Sequence, residues 1–323
     1  MMIGIIRALA VLLLAACPVA HAQPATQVVP TIGILTPHQG DPAQPVFFES
    51  LRKLGYQDGK NVRISIRSAE SNYERLPALA KELVEAKVDV IVAINTPGAA
   101  AAIRATKSIP IVMAIVGDPV GTGFVSNLAC PGGNVTGISN MSGEIAAKRL
   151  SILKELVPGT KRIALLNNPV DPVNAPQLKD TAQAAPRLGI EIKAFPVKTA
   201  VDLAETFKQM LVWRADSALW LSGQASLFQA GTIELAAKHR LPVMVASHVN
   251  VQAGGLVSYF ADQSELYRRT AIYVDKILKG AKPGDLPVEQ PSKLELAINL
   301  KTAKALGLVV PQSIMVRADH VVR

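Results

Sequence analysis

The residues of this chain that can do chemistry are short polar groups placed directly after apolar runs. Thr36 and Gln39 follow Thr31–Leu35, and Asn95 and Thr96 follow Val88–Ile94. Gly117 and Asp118 follow Ile111–Val116, and Asn168 follows the run that starts at Arg162. Ser222 comes after Ser217–Leu221, Ser247 and His248 after Val243–Ala246, and Phe260 and Asp262 after Leu256–Tyr259. Loops at the carboxyl ends of parallel strands are where open α/β sheets hold small molecules. The chemistry these residue types offer is binding. Asn, Ser and Thr can grip a carboxylate or hydroxyl, Asp118 or Asp262 can hold an amine, and the Phe260 ring offers a stacking face.

Each candidate also has a structural reading. Asp118 can cap a helix with Pro119 at its first position, Asn95-Thr96-Pro97 can be a helix-starting turn, and Asp262 can cap the helix that follows. His248 can be a surface-loop histidine, and Phe260 can pack into the first half of the molecule without meeting a ligand. No constellation for bond making is visible. After leader cleavage the histidines are His38, His239, His248 and His320, and they lack metal-ligand spacing. There is no Gly-x-Ser-x-Gly elbow, no Walker Gly-Lys-Ser/Thr, and no Gly-x-Gly-x-x-Gly after the first strand. Pro131-Gly132-Gly133-Asn134 lacks a phosphate-gripping lysine and precedes a strand. We therefore expect no catalytic residues, no cofactor and no metal.

The elements that must position these residues alternate. Ile111–Val116 is an unbroken apolar run of strand length, as suits a parallel strand buried on both faces. Val62, Ile64 and Ile66 alternate inward along Asn61–Arg67, and Leu76, Leu79, Ala80, Leu83 and Val84 recur at helical spacing over Tyr73–Ala86. A succession of βα units implies a parallel sheet with right-handed crossovers. After Asn140 the pattern restarts with a helix over Glu144–Val157 and a strand over Arg162–Asn167, then continues to Val243–Ala246. The elements from Gly254 onward are too few for a third domain, so they return to complete the two lobes through several crossings. The expected fold is α/β, with two Rossmann-like lobes of parallel sheet joined by a multi-crossing hinge. Lobe one takes 30–140 plus about 258–283, and lobe two takes 141–257 plus about 284–323.

The chain has 323 residues, 49% hydrophobic and 18% charged, which suits two lobes of ordinary globular composition. The formal net charge of +9 is dispersed and reads as a solvated basic surface, so no nucleic-acid partner is expected. Residues 1–22 have a secretory leader's features: Arg7, the apolar Ala8–Ala16, and Ala20-His21-Ala22 as a small-x-small cleavage site. Leu14-Ala15-Ala16-Cys17 also resembles a lipobox, which would lipidate Cys17. Both readings send the protein out of the cytoplasm, with a periplasmic protein cut after Ala22 preferred. Cys130 then remains as a lone thiol, expected to be buried beside the Pro-Gly-Gly turn.

Several segments together resemble one family. They are Gly55-Tyr56-x-x-Gly59-x-Asn61-Val62, Arg75-Leu76-Pro77-x-Leu79-Ala80, Gly117-Asp118-Pro119-Val120 and Leu128-Ala129-x-Pro131-Gly132-Gly133-Asn134-Val135-Thr136-Gly137, with the tail from Tyr267 to Leu308. In this order they resemble periplasmic substrate-binding proteins of ABC importers, type I fold, in the tryptophan/tyrosine-type branch. That resemblance implies a small ligand, an amino acid or an aromatic or organic acid, clasped between two lobes. It further implies a monomer that delivers the ligand to a permease in the inner membrane and performs no chemistry on it. The chain departs from the family's pattern at Asn167-Asn168-Pro169, at Ser247–Gln252 and at Ser258-Tyr259-Phe260, so ligand identity does not carry over; Phe260 and the weakly charged Ser247, His248 and Asn250 point to a small, largely apolar or aromatic ligand. A two-lobe α/β enzyme acting on a small molecule is the alternative.

Overall fold

A computed structural model describes residues 29–38, 44–221 and 225–323. Gln39, Ser222 and the leader with Cys17 lie outside the described residues. The first lobe contains β1 (Thr31–Thr36), α1 (Gln44–Lys53), β2 (Arg63–Ser68), α2 (Leu76–Glu85), β3 (Val90–Ile94), α3 (Asn95–Ala105), β4 (Ile111–Val116) and β5 (Val135–Ser139). The second contains α4 (Ala146–Leu156), β6 (Arg162–Asn167), α5 (Asn174–Ala184), β7 (Glu191–Pro196), α6 (Asp202–Val212), β8 (Ser217–Trp220), α7 (Ala225–His239), β9 (Val243–Val245), α8 (His248–Gln252) and β10 (Val257–Ala261). The chain continues through α9 (Gln263–Leu278), β11 (Leu294–Asn299), α10 (Leu300–Leu306), α11 (Gln312–Arg317) and β12 (His320–Val322).

The strands form two sheets, ordered β2-β1-β3-β4-β5 and β12-β11-β10-β9-β8-β6-β7. All pairs are parallel except β10 with β11. The fold class is the expected α/β arrangement of two mostly parallel sheets. The central strands are buried throughout, as their unbroken apolar runs require: every residue of β3 and β4 is inaccessible. Each sheet carries an apolar layer on both faces. Ile32, Val90 and Val112 pack toward Tyr267 and Val274, while Ile91, Ile111 and Met113 pack toward Leu79, Leu83 and Ala102. Leu165 and Leu219 face Leu150 and Leu153, and Leu166 and Trp220 face Phe207 and Phe228. Full burial of one such aliphatic side chain is worth about 1.5–3 kcal/mol.

Four expectations need correction. No helix begins at Asp118. Its side chain instead accepts from Gly121 N–H at 2.7 Å, and Thr122 and Gly123 donate back to Asp118 and Val120 carbonyls, closing a compact turn. Asp-Pro opens turns as readily as helices, and no apolar periodicity follows to carry a helix onward. Cys130 is exposed, because its backbone N–H is fixed on Asn127 Oδ1 in a surface turn. Ile66 does not point into the core but is 48% exposed, since β2 is an edge strand flanked by an open groove beside Phe48, Arg52 and Tyr56. Ser247–Gln252 is no loop: Ser247 caps the short helix α8, its side chain accepting from Asn250 N–H.

The chain runs between the two sheets again after β10. β10 is hydrogen-bonded in the second sheet through Ala261. Helix α9 then packs on α1, β4 and β5. Glu289 exchanges hydrogen bonds with Gly137 and Ser139 of β5. Arg269 of α9 pairs with Glu289, and Tyr273 Oη donates to Pro287 carbonyl at 2.6 Å, which anchors this strap.

Candidate functional site

The order of the first sheet reverses between β1 and β3, and that of the second between β6 and β8. Crevices at such switch points are where parallel sheets leave strand ends open. Thr36 and His38 leave β1, and Asn95 and Thr96 leave β3. Asn167, Asn168 and Asp171 leave β6, and Trp220 ends β8.

The first lobe's end is largely satisfied within itself. Thr36 Oγ1 donates to the His38 carbonyl at 2.7 Å and accepts from its N–H. Thr96 Oγ1 accepts from Gly117 N–H at 3.1 Å, tying α3 to the end of β4. Asn95 opens α3 with φ near +58°, so the helix-starting reading of Asn95-Thr96-Pro97 holds while Thr96 also braces Gly117. Asn140 Nδ2 donates to the Ile115 carbonyl, and its Oδ1 accepts from Ser142 N–H.

The second lobe's end is different. Asn168 accepts from Val170 N–H and donates its own N–H to Asn174, yet its Nδ2 has no partner. Asp171 Oδ1 accepts from Val173 N–H at 3.1 Å, whereas its buried Oδ2 has none. Asn167 Oδ1, Trp220 Nε1 and Arg149 Nε are likewise buried and unmatched among the described residues. Arg149 rises from α4 and donates through Nη2 to the Trp220 carbonyl at 2.6 Å, with no carboxylate in reach among the described residues. Burial lowers its pKa to about 10, which still leaves it charged at neutral pH. Burial raises the Asp171 carboxyl to about 7, against the pull of the Val173 N–H. Buried polar groups are normally paired, and an isolated buried charge is costly, so this concentration of unmatched groups needs an explanation.

The two ends meet. A Cβ on Gly117 would lie 2.4 Å from Ser142 Oγ and 2.4 Å from Val173 Cγ2, so the loop after β4 is pressed against the loop after β6 and the first crossing. Beside this seam a groove of about 530 Å³ opens between Asn72, Tyr73 and Arg104 of the first lobe and Val170, Pro172 and Lys198 of the second.

The structure thus brings Thr36, Thr96, Gly117, Asp118 and Asn168 to the facing ends of the lobes. Other expected residues go elsewhere or have structural work. Asp262 caps α9 through Ser264 N–H at 2.9 Å and pairs with Arg268. His248 stacks on His320 of the outermost strand β12, with ring centroids 5.1 Å apart. Phe260 is buried in β10 opposite Glu295, in none of the four apolar clusters. Residues missed from the sequence are His38, Ser142, Arg149, Asn167, Asp171 and Trp220. Asp171 stands three residues after Asn168 between Pro169 and Pro172, and following the β6 loop further would have found it. Arg149 gave no signal, because a basic residue in Ala-Ala-Lys-Arg-Leu resembles a solvated helix face. Among the described residues no group of three or more His, Cys, Asp or Glu can hold a metal, and no helix is long and apolar enough to cross a membrane.

Two facing sheets with polar strand ends define a two-lobed small-molecule binding protein, and solved structures of this architecture match. An ABC transporter solute-binding protein from Agrobacterium vitis with bound allitol (TM-score 0.61, 17% identity over 85% of this chain and 97% of that one) shares the fold. Residues 38–322 match the family model for ABC transporter substrate binding proteins, and the chain belongs to that family. A tyrosine-binding protein from Clostridioides difficile is 30% identical over 270 residues, 83% of this chain and 77% of the relative. An ABC domain from Streptococcus pneumonia in complex with L-Trp matches at TM-score 0.84 and 28% identity, covering 91% of this chain and 99% of that one. The ligand-free, open structure of a substrate-binding protein with adhesive properties from Clostridium difficile has the same identity and coverage but a TM-score of 0.62. At equal identity and coverage, this chain superposes more closely on the L-Trp complex than on the open form.

Proposed function

We propose that this protein is exported, captures an amino-acid-type ligand between its lobes and hands it to the permease of an ABC importer in the inner membrane. The observation that carries the ligand reading is the set of buried, unmatched polar atoms after β6 and β8, behind a seam already shut at Gly117 and Val173. A ligand bearing both charged and hydrogen-bonding groups would match them. The tyrosine-binding relative and the L-Trp complex support an amino acid, and Trp220, Phe228 and Phe260 supply apolar bulk in the second lobe. We take the mature chain to start after Ala22 and to act as a monomer, with lipidation at Cys17 as the alternative route to the membrane surface.

The test is thermal denaturation of protein freed of carried-over ligand against L-amino acids and aromatic carboxylates. A ligand at a hundredfold excess over its Kd stabilises the fold by about 2.7 kcal/mol. Stabilisation by one or a few amino acids, with compaction in small-angle scattering, is the expected result. A flat response to every amino acid would remove the ligand reading. Mass spectrometry of native protein retaining Met1 would remove export by cleavage.

A further inference from the structure

The sequence offers Asp118 and Asp262 as carboxylates for a ligand amine, and the structure occupies both. Asp118 Oδ1 accepts from Gly121 N–H in a turn that leaves the side chain half-buried, where water can reach its other oxygen, and Asp262 caps α9 while pairing with Arg268. Asp171 is the carboxylate left over at the facing strand ends. It is 2% exposed; one oxygen is held by Val173 N–H, and among the described residues the other has no hydrogen-bond partner and no cation is in ion-pair reach. Its position is fixed at the seam, because Val173, whose N–H it holds, is the side chain against Gly117 of the opposite lobe. A group kept only to terminate a turn needs one oxygen, and a neutral Asn or Ser would serve without a buried charge.

We propose that Asp171 receives the cationic nitrogen of the ligand, an α-ammonium, when the lobes close. This rests on the amino-acid reading above and assigns the group that distinguishes an amino acid from the corresponding acid. A charge-assisted hydrogen bond from an ammonium would satisfy the open oxygen and neutralise the carboxylate in one contact. It also makes closure selective: a ligand lacking the nitrogen leaves Asp171 buried and unmatched, and such omissions discriminate far more strongly than changes in apolar bulk.

The experiment is calorimetry on the full mature chain, wild type and Asp171→Asn. The probes are L-tryptophan, L-tyrosine, L-phenylalanine and L-leucine, each beside its deaminated acid, such as 3-(indol-3-yl)propionate for tryptophan. We expect the wild type to favour the amino acid over its deaminated partner by about 100-fold, the range for losing one side of a buried charge pair. Asp171→Asn should weaken the amino acid by a similar factor and leave the deaminated acid unchanged, while the ligand-free variant melts no lower than wild type. Equal wild-type affinity for an amino acid and its deaminated acid would overturn the assignment without needing any variant. So would full amino-acid affinity in Asp171→Asn, or a lowered ligand-free melting temperature that accounts for the loss of binding. Any of these leaves the amino-acid reading standing, whereas no binding of any amino acid by the wild type would overturn both.

Discussion

The two lobes carry similar sheets but end them differently. In the first lobe, Thr36, Thr96, Asp118 and Asn140 spend polar atoms on neighbouring backbone, and among the described residues His38 Nδ1 and, just past Asn140, Ser142 Oγ are left unmatched. In the second, Asn167, Asn168, Asp171, Trp220 and Arg149 all retain a buried atom without a partner. The first end satisfies most of its polar atoms within itself, and the second leaves more of them buried and unmatched among the described residues. A hinged binding protein needs this asymmetry. A ligand can shift the open–closed balance only by differential affinity for the closed state, and unmatched groups buried at closure provide it.

The comparison can be broken most forcefully at the seam. Gly117→Ala places a methyl where Ser142 Oγ and Val173 Cγ2 already stand. Overpacking typically costs about 1–3 kcal/mol, and here it falls on the closed state, because Val173 belongs to the opposite lobe. Ligand affinity should drop by about tenfold to a hundredfold in calorimetry, with the ligand-free melt nearly unchanged and Val173→Ala restoring part of the loss. Gly137→Ala is the control. Its Cβ would lie 2.2 Å from the Met113 carbonyl oxygen at φ near +138°, a clash of backbone within one sheet. That variant should lose stability by about 3 kcal/mol or more in urea denaturation whether or not ligand is present. Equal effects of both substitutions on the ligand-free fold would mean that Gly117 is not a closure contact.

A gentler test exchanges one polar group in each setting. Thr96→Val deprives Gly117 N–H of its acceptor inside the first lobe, which should cost about 1–3 kcal/mol of stability. Asn168→Asp keeps the acceptor oxygen that holds Val170 N–H but replaces the unmatched Nδ2 donor. Its larger effect should be on ligand affinity. If Thr96→Val chiefly weakens binding and Asn168→Asp chiefly weakens the fold, the two lobes do not divide as described.

How much of this was legible beforehand follows from the kind of signal each residue gives. Ile111–Val116 and Val88–Ile94 announce buried parallel strands because burial on both faces demands unbroken apolar runs. The residues just after such runs could therefore be placed: Thr36, Thr96, Gly117 and Asn168 stand at the facing strand ends. Asp118 was found with the wrong local structure, since a side chain that accepts from a following N–H looks the same in a helix cap and a turn. Arg149 and Asp171 were missed because their significance is an absence of partners. That absence appears only when α4 and the β6 loop are packed, and a charged residue in a linear sequence carries the default meaning of solvent exposure.

The smallest expected effect is on the pH dependence of stability, and it opposes one group from each lobe. His38 is buried in the first lobe, and burial holds its imidazole down to about 4 against a smaller upward pull from the Pro37 backbone. Unfolded, the ring takes up a proton near pH 6.5. Its contribution is therefore present above about pH 6.5 and lost as pH falls toward 4. Asp171 has the reverse sign. Its folded carboxyl is raised to about 7 and its unfolded value lies near 3.8, so its contribution is present below about pH 4 and lost as pH rises through 7. Over the shared window the two slopes cancel, each at most about 1.4 kcal/mol per pH unit. Urea denaturation of ligand-free protein from pH 4.5 to 7 should thus be nearly flat on account of this pair. Asp171→Asn should leave a stability that rises with pH, and His38→Gln one that falls with pH. An ammonium-bearing ligand at saturation should act on the wild type as Asp171→Asn does, because it holds the carboxylate ionised. Parallel profiles for the two variants would show that the lobes do not bury these groups in opposition.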